Sequence, residues 1–407
     1  KTSLTTLDGI LIKKRWSFSW VIPKLFVTLR HQIFKRMKQI PELYQKWLAM
    51  HPLLPEDEQR LQRKFMLDFN FNSNHIEGNM LTYGQTEVLL LLGEVVGSAK
   101  MKDLEEMKAH NVCLKMMETE ALSDHPLTES FIRNMQRTML REDYEVFRQL
   151  PGGVQTSYVV HAGCYKTRPN SVITPTGERF DYASPEETPA FMHDLVDWYN
   201  RVADTDEYTP IELASLFHYR YIRIHPFEDG NGRIARLLVN FILLRKRYPM
   251  IVVRSSDKHT YLNALSAADA QVGTFPSDGA NATLEQIKPF TAYMEKQLFG
   301  ELMQNIAFVE GSADRIWWYN GRLISFRSPR TPRLLHILAD NPRVTNAELS
   351  SQLGINTSAV QKQLTTLSEK GYIVKDSNPK RWRVIALPTT PKGGTINEGG
   401  QTNTEEE

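Results

Sequence analysis

Apolar residues recur three and four apart through residues 39–150, the spacing of helices buried on one face, and the runs break at 51–55, 72–79 and 124–126. Ser184 followed by Pro185 predicts the start of a helix over 186–200. A further helix is expected from Ile211 to Arg223, and another carries Ile234, Leu237, Leu238, Phe241 and Ile242 inward before closing on Arg245, Lys246 and Arg247. The last helices of this part run from Thr260 to about Phe299, with Gly300 and Gly311 marking looser ground. The pattern changes over 163–180, where β-branched and turn residues predict two short strands around Pro175-Thr-Gly177.

Residues 329–387 read as a separate unit. Residues 332–339 form a short apolar-periodic helix, and Thr345-Asn-Ala-Glu348 has the form of a capping box. Leu349 and Leu353 lead to a stop at Gly354, and the next helix starts at Thr357-Ser358 with Val360, Leu364 and Leu367 inward. Two strands follow, at 371–374 and 382–385. Helix, helix, turn, helix and hairpin is the order of a winged helix-turn-helix, so the chain is expected to be mainly α with this domain at its C-terminal side. Lys and Arg outnumber Asp and Glu nine to four across 329–387. DNA contact is therefore one expectation, through Gln361, Lys362 and Thr365 on the second helix and Lys380 and Arg381 on the wing; protein docking is the other.

A length of 407 residues suggests two or three domains, and 41% apolar with 24% charged residues is ordinary for a globular chain. The net charge of +2 gives no overall drive toward nucleic acid. Cys113 and Cys164 lie far apart and without metal-ligand spacing, which argues against a disulfide framework and fits a cytoplasmic setting. Residues 1–37 carry many Lys and Arg among short apolar groups against a single acid, Asp8, and read as a poorly structured basic extension; an amphipathic membrane-surface segment is the alternative. No later run reaches the length of a membrane span. Residues 388–407 read as a disordered tail.

The chemistry concentrates in His225-Pro-Phe-Glu-Asp-Gly-Asn-Gly-Arg-Ile-Ala-Arg236. Glycines at a helix start let phosphate oxygens approach backbone donors that lack intrahelical partners. Arg233 and Arg236, three apart, present two guanidinium forks on one helix face. Asp229 suits Mg²⁺, which takes one carboxylate together with substrate phosphates. His225 is a candidate general base. Base, carboxylate, glycines and arginines at this spacing predict a nucleotide site.

This run resembles the signature of the Fic family, His-x-Phe-x-Asp/Glu-Gly-Asn-Gly-Arg-x-x-Arg, at every specified position. The resemblance implies a Fic helical core that transfers AMP from Mg·ATP to a Tyr, Ser or Thr hydroxyl of a target protein or of the chain itself. It casts His225 as base and Asp229 as the Mg²⁺ ligand. Gly230, Asn231 and Gly232 become the α/β-phosphate cradle, and Arg233 and Arg236 the ligands of the β and γ phosphates. Ser73-Asn-His-Ile-Glu77-Gly78 resembles the family's inhibitory motif and implies that Glu77 pairs with Arg236 in the γ-phosphate seat. The 163–180 hairpin resembles the flap that registers the target by strand addition, with Val172 and Ile173 as its contacts. Tyr261 and Asn263 are candidates for the adenine pocket. A dimer that steadies Glu77 is conceivable.

The domains expected are the extension 1–37, an inhibitory helical region 38–150, a catalytic core 151–300, a linker 301–328, the winged helix 329–387 and the tail. Two rivals remain: a Fic enzyme transferring or removing a different phosphate-containing group, and a transcriptional regulator whose Fic fold senses nucleotide for the winged helix.

Overall fold

A computed structural model describes residues 39–149, 155–173, 179–310, 316–320, 322–326, 328–377 and 380–388. The expectations for residues 1–37 and 389–407 lie outside these. Helix α1 covers 39–49 and is followed by α2 (Pro55–Ile76), α3 (Tyr83–Leu92), α4 (Met101–Ala121) and α5 (Glu129–Leu140). Two hairpins come next, β1 (Tyr144–Gln149) with β2 (Gln155–Val160), and β3 (Ser171–Ile173) with β4 (Arg179–Asp181). Then come α6 (Thr188–Val202), α7 (Pro210–Ile224), α8 (Asn231–Arg245), α9 (Lys258–Val272), the short α10 (Pro276–Ala280) and α11 (Lys288–Glu310).

The α7/α8 pair forms the centre. Thr209 and Glu212 close a capping box around Pro210, which starts α7 without an orphaned N–H. Leu213, Leu216, Phe217 and Ile224 on α7 and Ile234, Leu237, Leu238, Phe241 and Ile242 on α8 are all buried in one apolar core. A helix apolar all round is one enclosed by neighbours. Here α4 and α5 pack on α8, α6 packs on α7, and α9 to α11 complete the ring.

Three sequence expectations are corrected. Residues 144–149, expected at the end of a helical stretch, pair antiparallel with 155–160, with Tyr144 opposite Val160 and Val146 opposite Tyr158; Tyr and Val suit a strand that finds a partner. The helix expected from 186 begins at Thr188. Ser184 and Glu187 instead exchange hydrogen bonds, Ser184 N to Glu187 Oε2 and Glu187 N to Ser184 Oγ, and so cap a turn ahead of it. Gly300 does not loosen α11: buried Leu298, Leu302 and Ile306 carry the helix past it. The stretch expected as a 301–328 linker thus holds the last turns of α11 and two strands, β5 (Ile316–Tyr319) and β6 (Arg322–Ser325).

The C-terminal unit follows the expected order. It comprises α12 (Arg330–Asp340), α13 (Asn346–Leu353), α14 (Thr357–Glu369), β7 (Ile373–Ser377) and β8 (Lys380–Val384), and β9 (Leu387–Pro388) returns to pair with β5. The Thr345/Glu348 capping box starts α13 and Gly354, at φ +62°, ends it. Asn356 caps α14, whose Val360, Leu364 and Leu367 are buried while Gln361, Lys362 and Thr365 are exposed.

Helix α2 has two occupied sides. At 100° per residue, Asn70, Ser73 and Glu77 share one side, and Lys64, Leu67, Asp68 and Phe71 share the other. The second side faces the C-terminal unit. Leu67 and Phe71 pack with Tyr83 and Ile385. The fully buried Trp318 donates from Nε1 to Asp68 Oδ2 at 3.1 Å, and the Lys64 ammonium sits 3.9 Å above its ring. The wing is tied as well, because Arg381 and Arg383 bond both Asp376 and, from the α3–α4 connection, Glu94. Arg381, expected as a DNA contact on the wing, is thus engaged with carboxylates.

Candidate active site

Helix α7 ends at His225, which adopts φ +51° and ψ 62°, a left-handed conformation that a bulky L residue takes only when its surroundings hold it there. Here Tyr182 stacks on the imidazole, with ring centroids 4.1 Å apart. The Ile222 carbonyl lies 3.3 Å from Nδ1 and can only accept, so Nδ1 carries the hydrogen and Nε2 presents a lone pair. Burial, with the Lys166 ammonium nearby, pushes the His225 pKa down to about 4, so the ring is neutral at ordinary pH.

The loop behind His225 is braced by residues that sequence reasoning did not single out. Lys166 is buried; its Nζ donates to Ile224 O at 3.0 Å and to Asn170 Oδ1 at 2.8 Å, while its N–H donates to Pro226 O at 2.9 Å. Burial pulls the Lys166 pKa down to about 7. Asn170 Nδ2 donates to Phe227 O at 3.0 Å. Further back, the buried Arg223 reaches the carbonyls of Gly273 and Phe275, and a Cβ on Gly279 would stand 2.5 Å from Arg223 Nε. Composition carries no signal for such a brace; a Lys and an Asn four apart in a loop is too common a pattern.

Gly230, at φ +85°, turns the chain into α8. The first intrahelical bond is Ile234 N to Gly230 O, so the N–H groups of Asn231, Gly232 and Arg233 lack intrahelical acceptors. The Asn231 side chain is already used: its Oδ1 accepts from Phe227 N at 3.0 Å and its Nδ2 donates to Phe227 O at 2.6 Å. That amide holds the loop's shape and leaves the Asn231 backbone N–H for an anion. Asp229 projects with its side chain 43% exposed; Oδ1 accepts from Gly230 N at 2.6 Å and pairs with Arg233 Nη2 at 3.4 Å, and Oδ2 accepts from Tyr144 at 2.8 Å.

The two arginines differ in their surroundings. Arg233 is buried, and its Nε has no hydrogen-bond partner among the described residues. Arg236 is held by its own chain. Its Nε donates to Ser73 Oγ at 3.0 Å, and its Nη2 donates to Ser73 O at 2.9 Å and to Glu77 Oε1 at 2.7 Å. Ser73 Oγ therefore accepts from Arg236 and gives its own hydrogen to His110 Nε2 at 3.1 Å, while His110 Nδ1 donates to Asn70 Oδ1 at 2.7 Å. Burial and the two arginine charges hold the His110 pKa well below its usual value, which keeps this relay neutral up to Arg236.

Glu77 caps α2 beside Gly78, so the helix, expected to break over 72–79, runs on to Ile76. Burial alone would raise its carboxyl, but the Arg236 charge and hydrogen bond, with Arg233 behind them, hold it below the ordinary value. Its position depends on Gly232, where a Cβ would lie 2.5 Å from Glu77 Oε1. The carboxylate thus occupies the space that the missing side chain leaves over the start of α8.

Other expected site residues lie elsewhere. Tyr261 is buried among His218, Phe290 and Tyr293, with its hydroxyl 2.8 Å from His218 Nε2. That is a core position rather than a stacking face. Asn263 is exposed on α9. Val172 and Ile173 lie on β3, opposite Phe180 and Arg179, in a hairpin whose turn at 174–178 lies outside the described residues. Among the described residues no three His, Cys, Asp or Glu side chains gather as a metal site. No described helix is long and apolar enough to cross a membrane.

Comparison with known proteins accords with this arrangement. Residues 126–243 match the model of the Fic/DOC family, and residues 327–374 match a winged helix-turn-helix DNA-binding model. The chain is similar to a Fic domain containing signaling protein from Bacteroides thetaiotaomicron of known structure, at 58% identity and a TM-score of 0.62, covering 66% of this chain and 96% of that one. It is 28% identical over 261 residues to the protein adenylyltransferase fic-1 of Caenorhabditis elegans, covering 63% of this chain but 44% of the relative, so it spans less than half that protein's length. The solved Fic-1 fragment of the same worm shares the fold at 24% identity and a TM-score of 0.53, over 71% of this chain and 76% of the fragment. With its signature loop carried between α7 and α8, the chain belongs to the Fic/DOC family.

Proposed function

We propose that the protein is a self-inhibited adenylyltransferase that moves AMP from ATP to a hydroxyl side chain. The observation that carries this reading is the state of the phosphate-binding apparatus. Arg236 is buried and clamps a carboxylate of its own chain, next to a helix start whose N–H groups are unpaired and a neutral imidazole with a free Nε2. An arginine fork that would otherwise be an uncompensated buried cation needs an anion, and Glu77 supplies one in place of phosphate.

Within this reading the N–H groups of Asn231, Gly232 and Arg233 bind the α and β phosphates. The Arg233 guanidinium, with its unpartnered Nε, takes the β phosphate, and Arg236 takes the γ phosphate once Glu77 swings aside. Asp229 fits Mg²⁺ in chemistry and exposure: a hard carboxylate at the loop edge, where one protein oxygen plus phosphate oxygens and waters makes up the ion's usual set. Bound there, the ion would offset phosphate charge. His225 Nε2 accepts the proton of the incoming hydroxyl, and the Ile222 carbonyl and the Tyr182 ring fix the plane in which that lone pair points. The β3–β4 hairpin, with Val172 and Ile173, lines up the target backbone.

The winged helix serves a partner that acts on α2. Its α14 face of Gln361, Lys362 and Thr365 is exposed and suits either duplex DNA or a polar protein surface.

Incubation of wild type, Glu77→Gly and His225→Ala with labelled ATP, read by mass spectrometry, tests the proposal. Label should rise in Glu77→Gly and vanish in His225→Ala. Equal labelling of wild type and Glu77→Gly refutes self-inhibition, and label from GTP, UTP or CDP-choline instead of ATP refutes the adenylyl assignment.

A further inference from the structure

Modification of the chain by itself needs an acceptor hydroxyl beside the reacting phosphorus, and one such hydroxyl already stands at the loop. Tyr144, the first residue of β1, donates its phenolic hydrogen to Asp229 Oδ2 at 2.8 Å. It is held there from below. Asp143 accepts from Ala162 N at 2.8 Å and meets His161 Nδ1 at 2.7 Å, which clamps the base of the hairpin, and Tyr144 is paired with Val160 across the ladder.

Three other hydroxyls near the motif are poorly placed for transfer. Ser73 is buried and bonded to both Arg236 and His110. Tyr261 is buried and bonded to His218. Tyr182 stacks face to face on the imidazole at an interplanar angle of 22°, so its hydroxyl lies in a plane nearly parallel to the ring. The Nε2 lone pair lies in the imidazole plane and does not meet it. Tyr144 is 36% exposed and approaches from the solvent side. Above the Asp143 clamp its hairpin is open on the face that carries Phe147 and Val159, 74% and 43% exposed, while Val146, Thr156 and Tyr158 on the other face are half-buried. A two-stranded hairpin open on one face is only marginally ordered by its own contacts, so a small shift of the strands meets little resistance.

We propose that Tyr144 is the residue on which the chain adenylylates itself, an inference that rests on the adenylyltransferase reading above. Asp229 would hold the divalent cation that accompanies the nucleotide, and the Tyr144 hydroxyl, freed from that carboxylate, would then stand beside the phosphates. The Tyr144 Oη proton passes to His225 Nε2, and Oη forms a bond to the α phosphorus of ATP. The bond from that phosphorus to the bridging oxygen of the β phosphate breaks, and pyrophosphate leaves with the electron pair. The product is a tyrosyl-AMP diester at the mouth of the site.

The sequence makes the test direct. Trypsin cleavage after Arg141 and Arg148 yields the peptide 142–148, in which Tyr144 is the only hydroxyl-bearing side chain. Full-length Glu77→Gly protein incubated with Mg·ATP should carry AMP on this peptide, at a rate per molecule unchanged by dilution. Adding Tyr144→Phe should remove that mark. The mapping itself leaves Tyr144 intact, so the folding of the Phe variant does not decide the result. AMP found only on other peptides of this chain overturns the Tyr144 assignment and leaves the adenylyltransferase reading standing. An absence of AMP on this chain and on every protein of an added lysate overturns both.

Discussion

Replacing Glu77 in graded steps separates the charge of the lock from its shape. Glu77→Gln keeps an oxygen at the Oε1 position facing Arg236 but removes the charge, and Glu77→Gly removes both. In each variant Arg236 keeps its bonds to the Ser73 hydroxyl and carbonyl, so the arginine stays in place. A hydrogen bond to a charged group contributes about 1.5–3 kcal/mol and a neutral one about 1 kcal/mol. The Glu77 side chain is 39% exposed, which screens the pair and puts its worth near the low end, at about 2 kcal/mol. Glycine should therefore tighten ATP binding by roughly 30-fold and glutamine by about 3–5-fold. Calorimetric titration in a His225→Ala background measures binding without turnover. ADP, which has no γ phosphate, is the internal control: its affinity should stay level across the series. Equal shifts for ADP and ATP, or a glutamine variant that matches glycine, would refute the idea that a charge held in the γ-phosphate seat sets the affinity.

Two further outcomes are expected. Because His225 titrates near 4 rather than at its usual 6.5, the neutral base is fully present above that value and is lost as pH falls through it. With Mg²⁺ in excess, kcat/KM of Glu77→Gly in a Lys166→Met background, which removes the other group that titrates in this range, should stay flat from pH 8 to about 5; losing the Glu77 charge moves the limb lower, losing the Lys166 charge moves it higher, and burial, the largest cause, keeps it low. A fall centred near 6.5 would mean that the ring is solvated in the working enzyme. Trp318→Ala deletes a fully buried ring and the donor to Asp68, and should cost about 3–5 kcal/mol in a melting experiment. It should also tighten ATP binding by loosening α2, and unchanged affinity would show that the two sides of that helix act independently.

The signature loop was legible because its residues are consecutive: an imidazole, a carboxylate, glycines and arginines at fixed spacing suggest their chemistry without tertiary information. The winged helix was legible through its caps, Thr345 with Glu348 and then Gly354, which are local signals. The Glu77–Arg236 pair spans 159 positions and became readable only through the family resemblance. Lys166, Asn170, His110 and Tyr144 were missed because each acts through partners brought near by folding, and no period or spacing announces them. Tyr261 was misjudged for the same reason: an aromatic ring on a helix looks alike whether it faces a ligand or the core.

Helix α2 is a party wall. One side seats the glutamate that pairs with Arg236, and the other is faced by Trp318 and Ile385 of the C-terminal unit. A shortened protein ending after α11 would leave Leu67, Phe71 and Tyr83 bare and Asp68 without its indole donor. If Glu77 inhibits as proposed, rates measured on such a fragment would describe an enzyme whose brake has lost its backing, and they would not transfer to the intact chain. On the same reading, a chimera with a foreign C-terminal domain would have a different basal rate even though that domain never touches the signature loop.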